Sequence, residues 1–317
     1  MKLTKNVAGI MAVVAIIMLY VVNNLVYTLI PKDYELVYYL VSGILLLLVA
    51  VILPMLLGYD VQKNLGVKRK LNLVQVILCF LLGLTLMVFG LGYSNILYQF
   101  LQAIGYHRMP TLPEMDTVLR IIVAVVGLCV LPALSEEFLV RGGILHSLKN
   151  SIGSKKAILM TALFFGLMHG SISQLGHQFL VGLVCGLVVV VGRSIWYGVI
   201  IHFVNNAVTV GLNIIESQKV VQTIPTPSQF FSSASFWVCI GFVVVGLVGA
   251  YFLIKYFMKR ELPGNRERGI FKPLKLLDND LVFDAGDRGQ NILFYASMTA
   301  FAVLVVVDFI FVTCGVL

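Results

Sequence analysis

Long unbroken apolar runs dominate this chain, and one of them, GILLLLVAVILPMLLG at residues 43–58, holds no charged side chain at all. Such runs leave too little polar surface to coat a water-soluble globule. Charged residues make up 12% of the 317, against about 25% in soluble domains. The medium these residues suit is lipid, where only helices and closed barrels satisfy their own backbone polar groups. Barrel strands alternate apolar and polar residues, whereas these runs are continuous, so the chain reads as all-α, a polytopic transmembrane helix bundle.

The runs predict about nine spans, near 7–30, 36–57, 72–93, 118–148, 157–172, 175–192, 195–215, 235–257 and 292–316. Eight is the alternative, because the fifth and sixth fall short of the ~20 residues that cross a bilayer and the fourth exceeds them. The first run is too long for the apolar core of a signal peptide and no small-residue cleavage site follows it, so it reads as a span. Without a targeting signal, the expected location is a bacterial plasma membrane.

Charge placement orients the bundle. With nine alternating spans and a cytoplasmic N-terminus, 18 of the 23 Lys and Arg fall on the cytoplasmic side and 4 on the other, with Arg141 inside the fourth span. That bias follows the positive-inside rule. The formal net charge of +8 is therefore topological. It points to lipid headgroups as partner and not to nucleic acid.

The five cysteines, Cys79, Cys129, Cys185, Cys239 and Cys314, sit in different apolar runs and form no CxxC pair. Packed helix residues, not a disulfide frame or thiolate metal site, are the expectation. Three regions follow: N-terminal spans at 1–117, a polar-bearing core at 118–215, and C-terminal spans at 216–317 with a cytoplasmic linker at 258–291. Residues 94–117 read as an outside segment with room for an interfacial helix. Gly182-x-x-x-Gly186 reads as a close helix approach.

Ionisable side chains deep in a span are costly and are functional candidates by default. The fourth span carries Glu136, Glu137 and Arg141; the fifth ends near His169; the seventh carries His202, Asn205 and Asn206. On an α-helix, turning about 100° per residue, Glu137 and Arg141 share a face and Glu136 points elsewhere. One carboxylate is thus paired and the other left available. Pro132 removes a backbone hydrogen bond and can kink the helix just before Glu136. His202 and Asn206 share a face. Counted from flanking Lys149, Lys156 and Arg193, Glu136, His169 and Asn206 are each 13 residues deep, about 20 Å at about 1.5 Å per residue. Three helices of alternating direction bring polar groups to one level. His107, His146 and His177 fall near predicted interfaces and read as solvated or headgroup-facing.

One available carboxylate, two imidazoles and a carboxamide form a hydrolytic kit. Glu136 can act as general base on water, with His169 orienting it, and His202 and Asn206 can donate to an oxyanion. Ser135 has no dedicated base at helical spacing. The same Glu136, His169 and His202 could instead ligate zinc with a position open for water. The metal-free version, requiring no cofactor, is preferred, with zinc left open.

Glu136-Glu137-x-x-x-Arg141, Phe165-x-x-x-His169 and His202-x-x-x-Asn206 together resemble the three signature motifs of the CPBP family. That family covers CAAX-type prenyl endopeptidases and bacterial bacteriocin-processing or immunity proteases, and is also called the Abi family. The resemblance spans about residues 118–215. It implies an intramembrane endopeptidase whose site is Glu136, His169, His202 and Asn206, supported by Glu137, Arg141 and Phe165. The substrate it implies is a membrane-associated peptide or protein: a pheromone, a bacteriocin leader or a prenylated C-terminus. A proton-coupled transporter and a non-catalytic membrane regulator are the alternatives from other functional classes. Proton relays also use intramembrane Glu and His, although no transporter-type repeat is visible.

Overall fold

The structure, a computed structural model, describes residues 7–31, 34–58, 66–107, 112–217, 226–261 and 288–314. Among them there is no strand. The helices are α1 (Val7–Leu29), α2 (Glu35–Leu56), α3 (Leu73–Ala103), α4 (Val118–Ile152), α5 (Ser154–Met168), α6 (Ile172–Gly192), α7 (Ile195–Ser217), α8 (Pro227–Phe231), α9 (Ala234–Glu261) and α10 (Arg288–Thr313). Eight of these are long and apolar enough to cross a membrane. The chain is an integral membrane helix bundle.

The fifth expected span is the one that falls short, which leaves the eight that the alternative count allowed. Helix α5 has 15 residues, about 22 Å at about 1.5 Å per residue against a hydrocarbon core of about 30 Å. Two glycines bound it. Gly153 precedes it at φ +81° and Gly170 follows it at φ +68°, both in left-handed backbone that an L side chain rarely adopts. A left-handed glycine just past the last turn is a standard helix stop. The chain then re-enters α6, and α5 and α6 pack as a hairpin.

Two other expectations change. Helix α3 continues ten residues past its anticipated end at 93, to Ala103, so the first part of the 94–117 segment is span and not an interfacial helix. Most of the 258–291 linker lies outside the described residues. Helix starts carry polar caps where the backbone needs them. Asn72 Oδ1 accepts from the Val74 amide at 2.9 Å, and Thr117 Oγ1 accepts from the Arg120 amide at 3.3 Å.

Helix α4 runs unbroken through Pro132. It accommodates the missing proline N–H by widening: Val125–Val130 forms a π-helical segment before Pro132, and Phe138–Leu145 forms another after Glu137. Such π segments recur at functional sites. Helices α3 and α9 pack along one side, α1 and α10 along another, and α4 is held among α1, α2 and α7. Phe164 of α5 meets Phe294 and Phe301 of α10 at ring-centroid distances of 5.7 and 5.3 Å. That contact buries the outer face of α5 and turns its Phe165–His169 face inward. Gly182 of α6 is the close approach that its spacing predicts: a Cβ there would stand 3.0 Å from the Ala162 Cα.

Candidate active site

The chemistry-bearing residues sit on three elements: the middle of α4, the C-terminal end of α5 and the second turn of α7 onward. Glu137 and Arg141 are both buried and pair at 2.8 Å, Oε1 to Nη1. The spacing survives although the pair straddles the change from α to π winding. Arg141 Nη2 also donates to the Gly182 carbonyl at 3.2 Å, and its guanidinium lies 4.3 Å from the centre of the Phe165 ring. Gly198 of α7 makes room for Glu137, since a Cβ there would meet Glu137 Oε2 at 2.6 Å.

Glu136, one residue earlier, points away from Arg141. Its Oε2 is 3.9 Å from His169 Nε2 and 3.9 Å from His202 Nε2. Neither distance is a hydrogen bond. The far side of each ring is anchored. His169 Nδ1 is 2.7 Å from the Phe165 carbonyl, one of the carbonyls left over at the end of α5. His202 Nδ1 is 3.2 Å from Glu137 Oε1. A carbonyl and a carboxylate only accept, so each Nδ1 carries a proton, and in the neutral rings each Nε2 presents a lone pair. Three acceptors therefore face one gap. A water at about 2.8 Å from its partners spans such a gap and supplies donors to two of the three at a time. Consistent with that, Glu136 Oε2 is buried with no hydrogen-bond partner among the described residues.

Phe165 shapes this site three ways. Its carbonyl holds His169, its ring lies 4.9 Å from the His169 ring and 5.5 Å from the His202 ring, and its face carries Arg141. Asn206 stands apart from the trio. Its Nδ2 donates to the Leu128 carbonyl of α4 at 3.2 Å. In an α-helix that carbonyl would accept from residue 132, which is proline and has no N–H. Ser135 is buried, and its Oγ makes no hydrogen bond among the described residues.

Zinc does not fit the trio as it stands. Donor atoms around a tetrahedral zinc with bonds of about 2.0–2.1 Å lie about 3.3 Å apart. The 3.9 Å spacings exceed that, and no group of three or more His, Cys, Asp or Glu at metal-holding spacing exists among the described residues.

A cavity of about 630 Å³ reaches the trio, with Glu136 and His169 on its wall. It brings in residues that the sequence reading passed over. Tyr20, in a π-helical segment of α1, aims a buried hydroxyl with no hydrogen-bond partner among the described residues next to Gly170, and Asp308 of α10 lines the same space. Asp308 Oδ2 accepts from Tyr106 at 3.2 Å. A lone carboxylate inside the run AVLVVVDFIFV was the available signal. His177 departs from its interfacial expectation: its Nε2 is buried and a Cβ on Gly90 would meet the ring at 2.6 Å.

Residues 118–208 match the model of the Rce1-like family, the type II CAAX prenyl endopeptidases of the CPBP group. Over these residues the chain is similar to the Rce1-like core. The match covers under a third of the chain. It holds α4, α5, α6 and the first half of α7, and so every residue of the trio, Glu137, Arg141 and Asn206. The family is one of proteases. Tyr20 and Asp308 lie outside the Rce1-like core and enter the site only through the fold. No curated protein and no solved structure matches this chain.

Proposed function

We propose that this protein is an intramembrane endopeptidase that hydrolyses a peptide bond of a membrane-associated peptide or protein with a carboxylate-activated water. One observation carries the reading: Glu136 Oε2 faces both Nε2 atoms at 3.9 Å on the wall of a cavity. A water held there gives a proton to Glu136 as its oxygen attacks the substrate carbonyl carbon. His169, locked by the Phe165 carbonyl, fixes the direction from which that water approaches. The developing oxyanion takes a hydrogen bond from the Asn206 Nδ2 proton not given to Leu128, with the His202 ring beside it held by Glu137. Glu136 then returns its proton to the leaving amine. The Glu137–Arg141 pair backs His202 and keeps the second carboxylate out of the chemistry. No step runs through a metal.

The test is peptide profiling of membranes from cells carrying the wild-type protein or Glu136→Ala. Uncleaved peptides that accumulate in the variant are the expected result, together with loss of cleavage of those peptides by the purified variant. Wild-type cleavage by purified Glu136→Ala would end the reading. Asp308, a second intramembrane carboxylate on the same cavity, is the observation that keeps proton-coupled transport as the second reading. Proton flux in liposomes that Glu136→Gln abolishes would favour it. A phenotype indifferent to both Glu136 and His169 substitutions would instead mark a non-catalytic regulator.

A further inference from the structure

The two ends of the bundle differ in charge, and beyond Glu136 the cavity is lined by residues of only one of them. At the first end, Ser194 Oγ donates to the Gly66 carbonyl at 3.4 Å, Trp196 Nε1 donates to the Val67 carbonyl at 3.0 Å, and Arg69 pairs with Glu261 at 2.9 Å. These contacts put the start of α3, the start of α7 and the end of α9 together. The α4–α5 turn and the end of α6 lie at the same end, because α5 and α6 form a hairpin. Apart from Arg141 inside α4, every described Lys and Arg but Arg120 belongs to this end, including Lys70, Lys149, Lys155, Arg193 and Lys259.

At the second end, the Tyr106 hydroxyl lies 3.5 Å from Ser171 Oγ and 3.2 Å from Asp308 Oδ2, which joins the end of α3, the start of α6 and the late part of α10. Glu35, Glu114 and Asp116 belong to this end too. The cavity wall beyond Glu136 is built from this half alone. Tyr20 and Asn24 are late in α1, Tyr38 is early in α2, Gln174 is early in α6, and Asp308 and Phe311 are late in α10. By the positive-inside rule the basic end is cytoplasmic.

We infer that the catalytic cavity opens on the extracytoplasmic face, and that its substrate is a peptide presented from that side and not a prenylated C-terminus held at the cytoplasmic leaflet. This rests on the hydrolytic reading above for the word substrate, but the direction of opening is independent of it.

The test is side-specific labelling of the full chain in intact cells with a membrane-impermeant maleimide. The background is Cys314→Ser, which removes the one exposed cysteine; the other four are buried. Ser228→Cys reports the cavity end, on exposed α8 between α7 and α9, and Lys70→Cys reports the basic end. The expected result is labelling of Ser228→Cys in intact cells and of Lys70→Cys only after permeabilisation. The reverse pattern overturns the inference, and so does labelling of both or neither in intact cells. Labelling needs no turnover. If Glu136→Ala leaves cleavage intact while the labelling pattern holds, the proteolytic reading falls and the direction of opening stands.

Discussion

Asn206→Ala removes the 3.2 Å hydrogen bond that the Leu128 carbonyl of α4 receives from α7. The cost follows from the proline. Because Pro132 cannot donate, the truncation takes a donor from a half-buried carbonyl, a loss worth about 1–3 kcal/mol in general where the group is left unsatisfied. Interhelical hydrogen bonds measured within membranes average lower, about 0.6 kcal/mol with a maximum near 1.7. About 1 kcal/mol is therefore the expected loss in this bundle. Pro132→Ala gives residue 132 an N–H that reaches the same carbonyl once the π-wound turn relaxes to α winding, so Asn206→Ala should then cost little. The assay is a double-mutant cycle on equilibrium unfolding in detergent, using wild type, Asn206→Ala, Pro132→Ala and the double variant. The expected coupling is about 1 kcal/mol, against the roughly 0.3–0.5 kcal/mol scatter of independent sites. Activity alone cannot decide it, since loss of one oxyanion donor also lowers kcat by about 10²–10³-fold. Additive unfolding energies would refute the reasoning and leave Asn206 as a catalytic donor with no part in holding α4.

Three further outcomes are expected. Arg141→Ala strips the partner from a buried carboxylate, a class of change that costs about 3–5 kcal/mol, so the variant should lose folded yield and thermal stability in detergent, whatever its activity. Gly198→Ala puts a Cβ 2.6 Å from Glu137 Oε2; it should displace Glu137 from His202 and lower kcat more than it changes KM, read with a peptide that the wild-type protein cleaves. Treatment with a strong zinc chelator, followed by metal analysis of the purified protein, should leave cleavage at the wild-type rate, whereas stoichiometric zinc lost together with activity would reverse the metal-free mechanism.

The parts of this molecule legible from sequence are those that depend on one helix at a time. Continuous apolar runs located the eight long helices, and a four-residue spacing separated the directions in which Glu136 and Glu137 point. That spacing tolerates the π-helical winding after Glu137 because the pair needs only a shared face. The illegible parts require two helices at once. Nothing in the run around Leu128 says that its carbonyl is met from α7, and nothing in α1 says that the Tyr20 hydroxyl reaches Gly170. Asp308 was visible as a charge in an apolar run, yet only the fold attaches it to Glu136 through a shared cavity.

The shortness of α5, the fifth expected span, matters to the chemistry. A helix that crossed fully would pair the Phe165 carbonyl with the backbone of residue 169 and leave the His169 ring with no fixed partner on α5. By stopping at Met168, the chain leaves that carbonyl unfilled inside the bundle, where an unsatisfied polar group is costly. The His169 ring fills it at 2.7 Å, and in doing so commits its Nδ1 proton and turns Nε2 toward Glu136. Gly170 at φ +68° makes the stop possible. A Gly170→Ala substitution would strain that backbone and also bring a Cβ within 2.7 Å of the Tyr20 hydroxyl. The glycine that ends the helix early is thus what orients the imidazole, so the shortness that leaves α5 out of the eight long spans also shapes the candidate site.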